Sequence, residues 1–187
     1  MNNAAADDNA IDDDAINDDA IALLATQLGE ALKAQSRLLA TAESCTGGWV
    51  GQAVTAVSGS SAWYDRGFVT YSNEAKHEML GVSLGTLERC GAVSEETARE
   101  MATGTVVHSR AQASLAITGV AGPGGGTPRN PVGTVCFAWA VRGAAATDIA
   151  CDSERQRFDG DREAVRRQAV VHALAGMLAR LQPLQRT

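Results

Sequence analysis

The chain lacks every short arrangement that would place a metal or a disulfide by spacing alone. Its four cysteines, Cys45, Cys90, Cys136 and Cys151, are far apart, with no pair at the interval of a zinc knuckle or a redox motif. Each is expected to be a small buried or half-buried thiol and not a disulfide partner. His77, His108 and His172 form no short ligand motif, so no metal site is expected, although carboxylates scattered along the chain leave a magnesium site open at this stage. The spaced glycines of a dinucleotide fingerprint are missing as well, because the first glycine turn reads Ser-Cys-Thr-Gly-Gly-Trp-Val-Gly. No phosphate-loop Lys followed by Ser or Thr occurs, so binding of NAD or ATP by those routes is disfavoured and no cofactor is expected.

Basic residues are in the minority, 16 Lys and Arg against 22 Asp and Glu, for a formal charge of -6. That balance argues against broad nucleic-acid binding while leaving room for a local basic pocket that takes one phosphate. No apolar run is long enough to cross a bilayer, and the first residues have neither the basic start nor the apolar stretch of a signal peptide. A soluble, cytoplasmic protein with no membrane partner is therefore the expectation. Residues 1 to 20 hold Asp7, Asp8, Asp12, Asp13, Asp14, Asp18 and Asp19 with no basic residue, which reads as a solvated acidic leader over 1–17. A single domain over 18–182 and a short tail over 183–187 complete the expected organisation, since 187 residues with 45% apolar content suit one sizeable core.

What is present is periodicity of both kinds. Ile21, Leu24, Ala25, Leu28 and Leu32 recur at helical spacing from about Asp18 to Gln35, and Arg37 to Ala42 reads as the first strand. A helix follows from about Trp49 to Val57, then a strand over Arg66–Tyr71 and a short helix containing Lys76, Met79 and Leu80 that Ser72 or Asn73 can cap. Ser83 and Ser94 are two further caps, and the helix after Ser94 runs to about His108. Gln112–Thr118 and Gly133–Val141 read as strands, the latter with Val135, Phe137 and Trp139 alternating. Another strand falls within Ala145–Phe158, and Asp161 can cap a final helix whose apolar face includes Val165, Ala169, Leu174 and Met177. The expected fold is a compact three-layer α/β/α domain with a mixed central sheet, whose sites gather at the carboxyl ends of strands.

Ser44 stands where the first strand turns into a helix, beside Gly47 and Gly48. That position can expose a nucleophilic hydroxyl with local amides aimed at a developing oxyanion; equally, Ser44 or Thr46 can simply cap the helix. A serine needs a proton acceptor, and no histidine lies beside an obvious acidic partner in sequence. Lys76, if desolvated, can serve as that base, with Tyr71 orienting the proton transfer; a solvated helix lysine and a strand-edge tyrosine are the competing readings. The segment Gly119–Gly126 offers unshielded amides to phosphate or ribose oxygens, with Pro123 restricting it. Arg162, Arg166 and Arg167 surround the start of the last helix, where they can hold an anion or pair with Asp159, Asp161 and Glu163. Trp139 reads as core, whereas Trp63 beside Tyr64 reads as the better candidate for an exposed cleft or interface.

The ordered set Ala42-Glu-Ser-Cys-Thr-Gly-Gly48, Gly67-Phe-Val-Thr-Tyr-Ser-Asn-Glu-Ala-Lys76, Gly91-Ala-Val-Ser-Glu95, Thr118-Gly-Val-Ala-Gly-Pro123, Pro131-Val-Gly-Thr134 and Gly160-Asp-Arg162 resembles the C-terminal domain of the competence/damage-inducible protein family, over about Asp18 to Leu181. Members of that type include nicotinamide-nucleotide amidohydrolases. The resemblance implies hydrolysis of the carboxamide of nicotinamide mononucleotide, a small-molecule nucleotide substrate, to nicotinate mononucleotide and ammonia, without a metal. It implies Ser44 as nucleophile with Tyr71 and Lys76 as proton-transfer partners, and Thr46, Gly47 and Gly48 as oxyanion or pocket contributors. Thr118, Gly119, Gly122 and Gly124, with Arg162 and Arg166, complete the expected substrate-binding set, the phosphate assigned to the glycine loop or the arginines on charge and loop chemistry. Relatives of this type commonly self-associate, so a homo-oligomer is implied, dimer or tetramer left open. The additional N-terminal domain of longer relatives is not expected here, and a non-catalytic nucleotide-binding or regulatory homologue is the alternative.

Overall fold

Small and large side chains alternate so strictly along the central strands that the two faces of the sheet receive different helices. The computed structural model describes residues 18–143, 145 and 148–181; the expected acidic leader and C-terminal tail lie outside them. The elements are α1 Asp18–Ala34, β1 Leu39–Glu43, α2 Trp49–Thr55, a single 3-10 turn at Ser60–Ala62, β2 Tyr64–Val69, α3 Asn73–Leu80, α4 Leu84–Cys90, α5 Glu95–Val107, β3 Ala113–Gly119, β4 Thr134–Arg142, β5 Ile149–Arg157 and α6 Arg162–Leu181. The sheet runs β2-β1-β3-β4-β5. β1 pairs in parallel with both β2 and β3, while β4 and β5 continue as antiparallel strands, which is the mixed sheet of a three-layer α/β/α domain.

On one face Leu39, Leu115, Ile117, Val135, Phe137 and Trp139 meet the apolar stripes of α1, α2 and α6. On the other, Ala42, Ala116, Cys136, Ala138 and Ala140 leave room for α5 to lie close, with Met101 and Val106 filling the space. Each such large side chain, fully withdrawn from water, contributes roughly 1.5–3 kcal/mol. The Trp139 indole also donates to the Ala173 carbonyl at 2.9 Å, which ties β4 to α6. Cys45 and Cys136 are buried, Cys90 and Cys151 partly so, and all four are free thiols.

Three local expectations are adjusted. Trp63 is not an exposed cleft residue: it is fully buried, with its indole seated in the space that Gly29 of α1 leaves, where a Cβ would stand 2.6 Å from the ring. Ser83 occupies the cap position of α4 but makes no side-chain cap bond; Glu100 of α5 instead accepts the Ser83 N–H at 2.7 Å and the Thr86 hydroxyl at 2.6 Å. At α3 it is Ser72, not Asn73, that caps, accepting the Ala75 N–H at 3.0 Å. Ser94 and Asp161 cap α5 and α6 as expected, through the amides of Thr97 and Ala164.

β1 lies between β2 and β3, because the chain leaves it to one side through α2 and returns on the other through α3, α4 and α5. The carboxyl end of β1 is therefore flanked by the ends of both neighbours, the crevice where ligands bind in open α/β sheets.

Candidate active site

Ser44 follows the last residue of β1, and its N–H donates to the Ile117 carbonyl of β3 at 3.0 Å. The chain then reverses through Gly47 and Gly48, with φ of 63° and 96°, a left-handed pair that side-chain-bearing residues adopt at a cost. From the β2 side, Lys76 on the first turns of α3 reaches inward. Its Nζ lies 3.2 Å from Ser44 Oγ and donates to the Thr70 carbonyl at 2.7 Å. Lys76 is 1% exposed, and burial holds its amine below the ordinary lysine range because a charged ammonium is poorly solvated there. The neighbouring Cys45 is the competing nucleophile by position, but burial pushes its thiol up to about 12. It stays protonated and unreactive at neutral pH.

Ser44, Lys76, Tyr71, Thr118, Gly119, Gly122, Gly124 and Arg162 line one cavity of about 290 Å³. Tyr71 stands at its rim, 64% exposed, and its hydroxyl accepts from Arg162 Nη2 at 3.1 Å. Arg162 also donates to the Gly122 carbonyl at 2.7 Å, so the first turn of α6 fastens the glycine loop over Ser44. Thr118 spends its hydroxyl proton on the Ala92 carbonyl.

A larger cleft of about 900 Å³ adjoins the first and shares Ala121 and Arg162 with it; Gly47, Gly48, Trp49, Pro123 and Arg166 are among its walls. Arg166, a wall of this cleft, also turns donors onto the backbone beside Ser44. Its Nε donates to the Cys45 carbonyl at 3.1 Å and its Nη2 to the Thr46 carbonyl at 2.8 Å, so it braces the turn that follows Ser44. Arg166 and Arg167 also sit at 5.2 and 5.1 Å from the Trp49 ring centroid, cation–π contacts that fix the head of α2. Arg167 pairs with Asp18 and Glu163.

The glycine amides expected to serve an oxyanion are already spent. The Gly47 N–H donates to the Ser44 carbonyl at 3.0 Å, and that of Gly48 to the Glu43 carboxylate at 3.0 Å. Thr46 is buried with its hydroxyl unpartnered among the described residues. Glu43 itself was not singled out from sequence, because the strand was expected to end at Ala42. Its signal was in the chain: a lone carboxylate just ahead of a helix start that has no acidic residue in its first turn.

The CinA C-terminal domain family matches residues 21–181. The chain belongs to that family. Among curated relatives, the nicotinamide-nucleotide amidohydrolase PncC of Escherichia coli (strain K12) is 53% identical over 152 residues, 81% of this chain and 88% of that protein. The nicotinamide-nucleotide amidohydrolase PncC of Pseudomonas putida is 49% identical over 158 residues, 84% of this chain and 95% of that protein. Among solved structures, the competence/damage inducible protein CihA from Agrobacterium tumefaciens superposes with a TM-score of 0.80 at 42% identity, covering 87% of this chain and 96% of that one. Membership in the CinA C-terminal domain family supports a hydrolase. Among the described residues, no three of His, Cys, Asp and Glu gather as metal ligands, and no helix is long and apolar enough to cross a membrane.

Proposed function

We propose that this chain is a nicotinamide-nucleotide amidohydrolase that converts nicotinamide mononucleotide to nicotinate mononucleotide and ammonia, using Ser44 as nucleophile and Lys76 as its base. The observation that carries this reading is the 3.2 Å contact between Ser44 Oγ and a buried Lys76 Nζ, in a member of a family whose close relatives bear that activity in their names.

A neutral amine has two N–H groups and one lone pair. With one N–H held by the Thr70 carbonyl, the lone pair is left for the Ser44 proton. Lys76 takes that proton as Ser44 Oγ attacks the carboxamide carbon, and the C=O electron pair moves onto oxygen. On collapse of the tetrahedral adduct the C–N bond breaks, and the Lys76 ammonium returns a proton to the departing nitrogen, which leaves as ammonia. Water, deprotonated by Lys76, then attacks the ester, releasing the carboxylate and restoring Ser44. Tyr71, bonded to Arg162 at the rim, orders the entrance. The glycine amides of the turn are committed internally, so the oxyanion is held by donors other than Gly47 and Gly48.

The small cavity suits the nicotinamide ring, with Arg162 leading the ribose phosphate toward the larger cleft. Arg166 serves this reading as the brace of the turn. The reading is tested by following ammonia release from nicotinamide mononucleotide by the purified chain in EDTA. Release with formation of nicotinate mononucleotide is expected; no release under conditions where the protein is folded overturns it.

A further inference from the structure

The buried residue with the most unexplained polar contacts is Glu43, 1% exposed at the end of β1. One carboxylate oxygen accepts the N–H groups of Gly48 and Val50, both at 3.0 Å, and the other accepts that of Gly51 at 2.8 Å. These are donors that the head of α2 would otherwise leave without an intrahelical partner. The main chain of the same residue reaches the other half of the site: its carbonyl accepts the Thr70 N–H at 2.8 Å, and the Thr70 carbonyl accepts Lys76 Nζ. One residue thus holds both the turn that carries Ser44 and the strand end that carries the lysine's anchor.

We propose that Glu43 is the positioning residue of the reaction, setting the Ser44 hydroxyl against Lys76 by fixing the reversal through Gly47 and Gly48. This rests on the serine amidohydrolase reading above. A direct part in proton transfer does not fit, since Glu43 lines neither the Ser44 cavity nor the larger cleft and both its oxygens are occupied. Nor is the carboxylate an ordinary exposed cap. Its three bonds are charge-assisted and buried, so they hold their donors more rigidly than a serine cap would.

The test is Glu43→Gln, which keeps the shape but sets an amide NH2 against N–H donors, alongside Glu43→Asp, which keeps the charge but is one methylene short. Both are compared with the parent in thermal melting, steady-state kinetics and the rate at which a fluorophosphonate labels Ser44. The expected result is a fall in kcat of about tenfold or more with KM within about twofold, and an equal fall in labelling rate, in protein that melts well above the assay temperature. Unchanged kcat and labelling in either folded variant overturns the proposal and leaves Glu43 a helix cap. Failure of both variants to fold also overturns it, because a positioning role requires a fold that survives with Ser44 misplaced. If the parent is labelled at Ser44 but does not hydrolyse the nucleotide, the substrate reading fails while the labelling rates still decide Glu43. A parent that is not labelled at Ser44 sinks both.

Discussion

At the scale of single residues, the proposed chemistry joins a poor nucleophile, Ser44, to a lysine that burial has withdrawn from water. A lysine in water is protonated at neutral pH and accepts nothing; Lys76 is withdrawn from water by α3 and its amine is held below the ordinary range. The sign of the pH dependence follows. In the proposed mechanism the reactive form is the neutral amine, so kcat/KM should rise with pH to a plateau whose midpoint lies below the usual lysine value of about 10.4. The same shift acts on stability. Its favourable contribution is fully present above the ordinary lysine value and is lost as pH falls through the lowered folded one. Lys76→Met should therefore lower kcat by about a hundredfold or more while raising stability at neutral pH by on the order of 1 kcal/mol, read from the melting temperature of the variant against the parent. Loss of both activity and stability would mean that the lysine is retained for packing.

At the scale of elements, what matters is how closely α3 and α5 approach. Gly104 of α5 lies under the end of α3, where a Cβ would stand 2.0 Å from the Leu80 carbonyl oxygen. Gly104→Ala must push the two helices apart, at a cost of about 1–3 kcal/mol, and because α3 carries Lys76, activity should fall further than stability alone explains. Calorimetric melting and kcat measured together on that variant check the coupling. The elements were legible in the sequence because their signals are local. Alternation along Val135, Phe137 and Trp139 marks β4, the 3.6-residue recurrence of Val165, Ala169 and Leu174 marks α6, and capping chemistry at Ser94 and Asp161 fixes two helix starts. Where the signal was tertiary, it was not legible. Nothing local says that Glu100 caps α4 from another helix, or that a glycine in α1 makes a seat for Trp63. An ordered set of motifs points to Ser44, Tyr71 and Lys76 as candidates, yet their geometry needed the fold. The gathering of Ser44 and Lys76 depends on β1 lying beside β2, and the commitment of the Gly48 amide to Glu43 depends on the turn's actual path.

At the scale of the whole molecule, two cavities meet at one arginine. Arg162 belongs to the walls of both the small Ser44 cavity and the larger cleft, and it also holds the glycine loop and Tyr71. If the nucleotide spans the two, removing the cation should weaken binding of the phosphorylated substrate. Arg162→Ala is expected to raise KM for nicotinamide mononucleotide about tenfold to a hundredfold, the worth of a lost charge-assisted hydrogen bond. Nicotinamide riboside should be a poorer substrate of the parent by a similar factor and less sensitive to the substitution. Equal kinetics for riboside and nucleotide in the parent would remove the phosphate from the account.

The central claim is that Ser44 forms the bond to the carboxamide carbon, and the most direct test is ammonia release from nicotinamide mononucleotide by Ser44→Ala beside the parent. The side chain is nearly buried and the substitution removes one oxygen, so the variant should melt close to the parent. The account predicts loss of about a thousandfold or more in kcat. Ammonia release by a folded Ser44→Ala at a rate near the parent's would contradict it.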